Sequence, residues 1–259
     1  MKGNLMIKFF RKMRQNLLME NKTGKYFKYA IGEIVLVVIG ILIALQINNW
    51  NENRKAEKIE LTYLIRLKND LAKDTLYLEN KMQYLKDERA KIYEFVHQIY
   101  NVQKTEEEFK QLYFLQSYVT ESLVMQTSTY EELKNTGLTN IFQNDSLKIE
   151  ILDLYREYQI AADHFIEINN FTAREIFSKS VSVGTKYHVP DLYDEKRLFE
   201  GTDWKFINDP NSESFKLIED TQINYYIKYG YLIGHFEDLL IKSKSLFFKI
   251  NKELSKRRR

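Results

Sequence analysis

Residues 30–47 read AIGEIVLVVIGILIALQI, and this apolar stretch decides the fold because it is long enough to cross a membrane as a helix. At ~1.5 Å per residue, it spans roughly the hydrocarbon core of a bilayer. Its only strongly polar residues are Glu33 and Gln46. Over residues 34–45 no side of the helix is polar, which is typical of a helix surrounded by lipid. We therefore predict a transmembrane helix over residues 29–48.

The residues on either side of this stretch favour a retained signal anchor. Tyr26 and Tyr29 precede it and Trp50 follows it, so we predict these rings as anchors at the two membrane interfaces. A cleaved signal peptide would also place basic residues before an apolar run. However, the run is longer than the usual apolar region of a signal, and no small-x-small cleavage site follows it in residues 45–50 (LQINNW).

The distribution of basic residues predicts the orientation of the chain. Residues 1–28 contain eight basic residues and one acidic residue, whereas the first fifteen residues after Ile47 contain three basic residues. Because basic segments stay in the cytosol, we expect the N-terminus to remain there and the C-terminal part to cross the membrane. The predicted segments are a basic amphipathic cytosolic segment over 1–28, the span over 29–48 and an extracytoplasmic, periplasmic domain over 49–259.

Basic side chains at both chain ends are predicted to face lipid headgroups. Residues 6–18 would place apolar side chains on one helix face and basic side chains on the other, which is typical of a helix lying in the headgroup layer. The chain also ends in four basic residues. The residues predicted to face lipid are Lys8, Arg11, Lys12, Arg14, Lys256, Arg257, Arg258 and Arg259. A basic tail that only sets orientation, or is only solvated, is the alternative.

Two features inside the predicted span concern partners. Positions four residues apart form one helix face rich in small side chains, on which a second helix could pack closely in a homodimer or a larger envelope complex. They are Gly32, Leu36, Gly40 and Ala44. Glu33 is a carboxylate inside the predicted span, which is costly in lipid and often functional. It lies about one turn from the cytosolic edge, so reaching back towards Lys28 or Lys25 at that interface is the alternative.

The composition favours long helices and excludes several function classes. The chain has 259 residues, nine glycines, two prolines and no cysteine. Scarce turn residues favour an all-α fold, and the lack of cysteine excludes disulfides and thiolate metal sites. The net charge is +3, but both chain ends are basic and the body between them is acidic. This distribution lacks the basic face of a nucleic-acid-binding protein, so we predict no nucleic-acid partner.

Periodic apolar residues after the span predict a helical bundle. Residues 50–100 contain neither glycine nor proline, so we expect the membrane helix to continue through them. Within this range, mostly apolar positions at alternating spacings of three and four run from Leu61 to Ile99 and predict a coiled-coil-like seam. The predicted fold class is all-α, with one transmembrane helix continuing into a bundle-like domain that is either four-helical or coiled-coil-like.

Helix-start signals predict the remaining elements. Thr105 with Glu108, and Thr129 with Glu132, have the spacing of capping boxes. Asp145 is a predicted N-cap for a long helix over about residues 146–180. A last helix is predicted over residues 214–255, and both prolines lie in residues 182–212, which we predict to be irregular.

The run from residue 7 to residue 55, IKFFRKMRQNLLMENKTGKYFKYAIGEIVLVVIGILIALQINNWNENRK, resembles the N-terminal signature of a large family of single-pass membrane proteins of Bacteroidota that have no known function. The stretches YEELK at 130–134 and NDSL at 144–147 resemble the pattern of that family as well. The resemblance implies an inner-membrane protein of a Gram-negative cell with a helical periplasmic body. It implies no activity and no site residues.

Few residues match a known catalytic or metal-binding motif. Glu94 and His97 have the Glu-x-x-His spacing of a di-iron helical bundle, but the chain has Ala and Leu three residues before His164 and His235, so the second half of such a site is missing. The sequence also has no glycine-rich phosphate loop and no nucleophile elbow. We therefore predict no catalytic, cofactor-binding or metal-binding residues and no small-molecule substrate.

These observations predict a structural or interaction component of the cell envelope. The alternative is a ligand-sensing periplasmic bundle, which would pass its signal to a separate membrane partner because residues 1–28 are too few for a signalling domain. An enzyme is the third hypothesis. The predicted location is the bacterial inner membrane, with the N-terminus in the cytoplasm.

Overall fold

A computed structural model describes residues 23–100, 103–113, 115–177 and 203–257, together with residues 11, 12 and 15. Over these residues the chain is mostly helical and has no β-strand, which confirms the predicted all-α class. The chain divides into two units, Met1–Glu60 and Leu61–Arg259.

Apart from residues 11, 12 and 15, which are helical, the described residues form five α-helices and two 3₁₀ helices. The α-helices are α1 (Thr23–Tyr100), α2 (Glu106–Tyr113), α3 (Ser128–Asn135), α4 (Asp145–Phe177) and α5 (Glu213–Arg257). The 3₁₀ helices span Leu138–Ile141 and Trp204–Asn208. A single helix therefore covers the predicted span and its predicted continuation. Of the predicted irregular region 182–212, the part before residue 203 lies outside the described residues.

Local capping explains where two of these helices begin. At the start of α2, the Glu108 carboxylate accepts from the Thr105 backbone N–H (2.8 Å), and the Thr105 hydroxyl accepts from the Glu108 N–H (3.3 Å). The predicted capping box is thus present. At the start of α4, Asn144 and not Asp145 is the cap, because the Asn144 side-chain oxygen accepts from the Leu147 N–H (3.2 Å).

The predicted capping box at Thr129 is wrong, and tertiary contacts explain why. α3 starts at Ser128, and its N-cap residue Thr127 makes no side-chain capping bond. The Thr129 hydroxyl instead donates to Asp70 of α1 (2.5 Å). The Glu132 carboxylate accepts from Arg66 of α1 (2.6 Å). Buried or charged partners on another helix therefore outcompete the local capping bond.

The first unit contains the apolar part of α1. From Ala30 onward, α1 has a mean hydropathy of 2.6 over its most apolar window, and none of that window is buried by the rest of the chain. By length and composition, this helix could span a membrane.

The second unit is built on three long helices, namely α1 from Leu61 onward, α4 and α5. Ion pairs show that α4 and α5 are antiparallel, because Glu150 pairs with Lys249 (2.6 Å) and Glu157 pairs with Lys242 (2.7 Å).

α5 also runs antiparallel to α1. Glu79 pairs with Lys244 (2.5 Å), and further along α1 the Tyr100 hydroxyl donates to Glu219 (2.7 Å). The C-terminal end of α5 therefore lies at the Leu61 end of the bundle.

The predicted seam of α1 is half right. One predicted column of residues, spaced by seven, is buried in full: Leu64, Leu71, Leu78, Leu85, Ile92 and Ile99. The other predicted column, which starts at Leu61, is only half-buried. A neighbouring column is buried in its place, and it contains Leu67, Asp74, Glu88 and Phe95. The prediction favoured the more apolar column, whereas the column that is buried contains the acidic side chains of Asp74 and Glu88.

A second, smaller apolar cluster closes the other end of the bundle. It joins the end of α1 to α2, to the 3₁₀ helix Trp204–Asn208 and to the start of α5. Its buried members are Phe95, Ile99, Phe109, Phe206, Ile207 and Phe215.

Candidate functional site

Residues 115–127, which we call the strap, form the least regular described part of the bundle. The strap has no helix or strand over residues 116–127, and yet Ser117, Glu121 and Leu123 are buried. Buried backbone N–H and C=O groups need hydrogen-bond partners, and here no ladder supplies them. Side chains from all three long helices take that role.

α1 binds the second half of the strap. The Asp74 carboxylate accepts from the Gln126 N–H (2.8 Å). The Tyr77 hydroxyl donates to the Ser122 carbonyl (2.7 Å) and accepts from the Val124 N–H (3.2 Å). These contacts explain why polar side chains occupy core-facing positions of α1.

α5 binds the first half of the strap in the same manner. The Tyr229 hydroxyl accepts from the Val119 N–H (2.6 Å) and is 2.9 Å from the Ser117 hydroxyl. The Gln222 side-chain oxygen accepts from the Ser117 N–H (3.3 Å). Burial raises the pKa of Tyr229, so this hydroxyl stays neutral and can both donate and accept.

Charged groups hold the middle of the strap. The buried Glu121 carboxylate pairs with Lys81 of α1 (2.6 Å), and its backbone carbonyl accepts from Asn169 of α4 (2.7 Å). Lys228 of α5 is also buried, and its ammonium group is 3.4 Å from the Val119 carbonyl. Burial lowers the pKa of Lys228 to about 8, although the charge of Glu121 opposes this shift.

Two side chains that bind the strap use only one of their polar atoms. Among the described residues, Asn169 Oδ1 and Gln222 Nε2 are buried without a hydrogen-bond partner, and so is the Tyr155 hydroxyl. A buried polar atom gains free energy from a hydrogen bond, so a polar ligand or an ordered water that reached these atoms would be bound favourably.

Asp74 lies beside a second buried carboxylate, Asp70, one helical turn earlier on α1. Only 1% of the Asp74 surface is exposed. Burial raises its pKa to about 7; the Gln126 N–H opposes this rise, and the Asp70 charge adds to it. The two carboxylates therefore bind the end of the strap and the start of α3 at a point where one of them changes protonation near neutral pH.

A cavity of about 720 Å³ lies between the end of the strap, α3 and α4. Its walls are apolar and aromatic, and charged side chains also line it. The aromatic wall includes Tyr130 and Tyr155, whose rings are stacked in parallel with centroids 4.4 Å apart. Glu131, Lys134 and Arg156 supply the charges. A cavity of this size and lining suits a small molecule with an apolar or aromatic body.

The predicted packing face in the apolar part of α1 is open. A Cβ atom added at Gly32 or Gly40 would meet nothing within 4 Å, and Leu36 and Ala44 are exposed. Glu33 lies on the same helix and is partly exposed. The dimer role of this face and the role of Glu33 stay predictions.

The predicted interface anchors are only partly described. Trp50 is exposed, and the Arg54 guanidinium carbon is 5.6 Å from the centre of its ring. Tyr26 and Tyr29 lie in α1, but their side chains lie outside the described residues.

The predicted lipid-facing residues fall into three groups. Arg11 and Lys12 are helical and exposed. Lys256 and Arg257 both pair with Glu253, each at 3.2 Å, in the last turn of α5. Burial would raise the pKa of Glu253, but hydrogen bonds from these two cations outweigh it and lower that pKa. Residues outside the described part are Lys8, Arg14, Arg258 and Arg259.

Sequence reasoning missed the strap and the cavity. A signal was present, because SYVTESLVMQTST over residues 117–129 is rich in Ser, Thr and Val and has no helical apolar period. That signal predicts an irregular or extended segment. It does not predict that the segment is buried, because burial depends on side chains from three distant helices.

One comparison with known proteins identifies relatives. A family described as a family of unknown function (DUF6090) matches residues 33–196, which is more than half of the chain. No curated protein and no solved structure matches. The match agrees with the predicted membership of a family of unknown function, whereas the N-terminal signature and the Bacteroidota origin stay predictions.

Proposed function

This chain belongs to DUF6090, a family of unknown function, and we propose that it is a single-pass inner-membrane protein whose helical bundle binds other components of the cell envelope. The observation that carries this proposal is the apolar part of α1, which the rest of the chain leaves uncovered. A soluble monomer rarely exposes such a large continuous apolar surface. A bilayer would cover it on every side.

The proposed orientation rests on the charges beside this helix. The excess of basic residues in residues 1–28 favours a cytosolic N-terminus, and the bundle then lies on the periplasmic side. In this arrangement, the basic C-terminal residues from Lys256 to Arg259 would bind anionic headgroups.

The proposed interaction role is supported by large apolar side chains on the outer faces of α4 and α5. On α4 they recur every eleven residues, and on α5 at multiples of seven, so each set lies on one helix face. Among the exposed apolar residues, those that share these two faces are Ile149, Ile160 and Phe171 on α4, and Ile227, Ile241 and Phe248 on α5, whereas Ile166 is exposed on another face of α4. Exposed apolar faces of this kind are typical of protein-binding surfaces.

Two reporters fused after Arg259 test the location. We expect alkaline phosphatase, which is active only outside the cytoplasm, to be active, and a fluorescent protein that folds only in the cytoplasm to stay dark. The protein should also remain in the membrane fraction after an alkaline carbonate wash. Bright cytoplasmic fluorescence, or release by the wash, would contradict the proposal.

A ligand-sensing bundle is the second candidate, and the cavity beside the strap favours it. A ligand in this cavity would contact the strap directly, through Leu123, Val124 and Met125. Binding could therefore change how the strap is held.

Thermal unfolding of the purified full chain in detergent, against a set of small aromatic and aliphatic molecules, tests this second candidate. A true ligand should raise the Tm of the wild type but not of Ala162→Trp, which fills the cavity. Ala90→Trp adds the same side chain at an exposed position of α1 and should keep the shift. Equal shifts in both variants would place the ligand elsewhere.

A further inference from the structure

Three aromatic side chains on α4 and α5 form a compact triangle outside the strap and the cavity. The ring centroids of His164 and His235 are 5.1 Å apart, those of His164 and Tyr231 are 5.5 Å apart, and those of Tyr231 and His235 are 4.6 Å apart. Both histidines are half-buried. The triangle joins the two helices at the edge of the core, where Phe165 of α4 meets Phe236 of α5.

These distances are ordinary for edge-to-face aromatic contacts, and they also allow the two imidazoles to share one metal ion. An imidazole nitrogen binds Zn²⁺ at about 2.1 Å, which places the ring centroid roughly 3.2 Å from the ion. Two such rings at the tetrahedral angle have centroids roughly 5.2 Å apart, compared with 5.1 Å between His164 and His235.

The third side chain fits the same geometry. Two donor atoms bound to one tetrahedral ion lie roughly 3.4 Å apart. The Tyr231 hydroxyl oxygen lies 3.5 Å from His164 Nε2. This separation is long for a hydrogen bond between these groups, but it is close to the separation of neighbouring ligands around an ion.

A carboxylate also lies near the triangle. Asp238 is close enough to His235 to act on it electrostatically. Its negative charge would partly offset the positive charge of an ion at that ring.

We propose that His164 and His235 bind one divalent transition-metal ion, with the Tyr231 hydroxyl at a third coordination position, and that this ion links α4 to α5. Nitrogen ligands of this kind favour Cu²⁺, Ni²⁺ and Zn²⁺ over Mg²⁺ and Ca²⁺. The inference is independent of the proposed membrane location, because all three residues belong to the second unit. Among the described residues there is no group of three or more His, Cys, Asp or Glu side chains that could hold a metal; the proposed set has two histidines and one tyrosine.

Metal titration of the full chain tests the proposal. The chain is purified in detergent with an affinity tag free of histidine, stripped with EDTA, and titrated separately with ZnCl₂ and CuSO₄. We expect saturable binding of one ion per chain and a Tm that rises with the logarithm of metal concentration. The paramagnetic resonance spectrum of the Cu²⁺ form should show coupling to two nitrogens.

Substitutions assign the ion to the triangle. His164→Ala and His235→Ala should each weaken binding at least about tenfold, since losing even an outer partner of a metal ligand typically costs that much. Tyr231→Phe should weaken binding less. His97→Ala is the matched control, because His97 is exposed on α1 and its Nδ1 already lies 2.9 Å from the Tyr93 carbonyl; it should leave affinity unchanged.

Two results would overturn the proposal. One is the lack of saturable Zn²⁺ or Cu²⁺ binding to the wild type. The other is unchanged affinity in a His164→Asn, His235→Asn double variant whose circular dichroism shows native helix content. The nitrogen coupling in the wild-type spectrum needs no variant, so the proposal can fail even if a variant does not fold.

Discussion

The apolar side chains of α1 are exposed in its first half and buried along one column in its second half. In the first half, the helix is apolar on every side, and side chains such as Ile34, Leu36 and Leu42 are exposed. In the second half, one column of apolar residues recurs with a period of seven and is buried, as at Leu64 and Leu78. A helix that is apolar on all sides is typical of a membrane span surrounded by lipid. A helix whose apolar residues recur on one face packs that face against other protein.

The largest expected effect of the difference between the two halves is on membrane insertion, and charged substitutions test it. A lysine at the centre of a transmembrane helix costs about 2.5–3.5 kcal/mol, so Val38→Lys with Leu42→Lys should cost about 5–7 kcal/mol of insertion free energy. We expect the double variant to leave the membrane fraction. The matched control is Ile65→Lys with Leu76→Lys, at exposed positions of the second half. If the control leaves the membrane as readily, the first half is not the span.

A truncation in the buried column should have the next largest effect. Leu78 has no exposed surface, so Leu78→Ala should lower the free energy of unfolding by about 2–5 kcal/mol. Leu76→Ala, two residues away on the exposed side, should change it by less than about 0.5 kcal/mol. Denaturant unfolding measures both, and equal effects would mean that the second half is not packed as described.

The buried carboxylate of the second half predicts a pH dependence. The pKa of Asp74 is raised to about 7, so folding favours its protonated form. Its contribution to stability is complete below about pH 4, the pKa of an unfolded Asp, and is lost as pH rises through 7. Asp74→Asn should remove this loss and be more stable than the wild type by about 1–3 kcal/mol at pH 8.

Unfolding of both proteins from pH 4 to pH 8 measures this difference. Asp87→Asn changes an exposed aspartate of the same helix and should keep the wild-type profile. A wild-type profile that stays flat between pH 5 and pH 8 would show that Asp74 is ionised in the folded chain throughout.

The smallest expected effect concerns the strap. Tyr77→Phe removes one hydroxyl that bonds Ser122 and Val124, so it should cost about 1 kcal/mol. Amide hydrogen exchange should accelerate at Val124 before it does in the helices. Tyr93→Phe, on the exposed side of α1, is the control. Unchanged exchange at Val124 would show that α1 does not hold the strap.

The helices follow closely from sequence periodicity. The helix expected over residues 146–180 is Asp145–Phe177, and that expected over 214–255 is Glu213–Arg257. The ends of these two helices can be predicted from sequence because the 3.6-residue period and the capping signals involve residues only a few positions apart. The failure at Thr129 has the opposite cause, since its partner Asp70 lies far away in sequence.

By itself, the sequence determined that the chain is helical and that residues 30–47 form an apolar helix suited to a membrane. Composition and period suffice for that, because each helix closes its own hydrogen bonds. Only the tertiary structure decided that Asp74 is buried, that the irregular strap lies in the bundle, and that His164 meets Tyr231 and His235. These features depend on the axial register between antiparallel helices. That register is determined by the packing of the whole core.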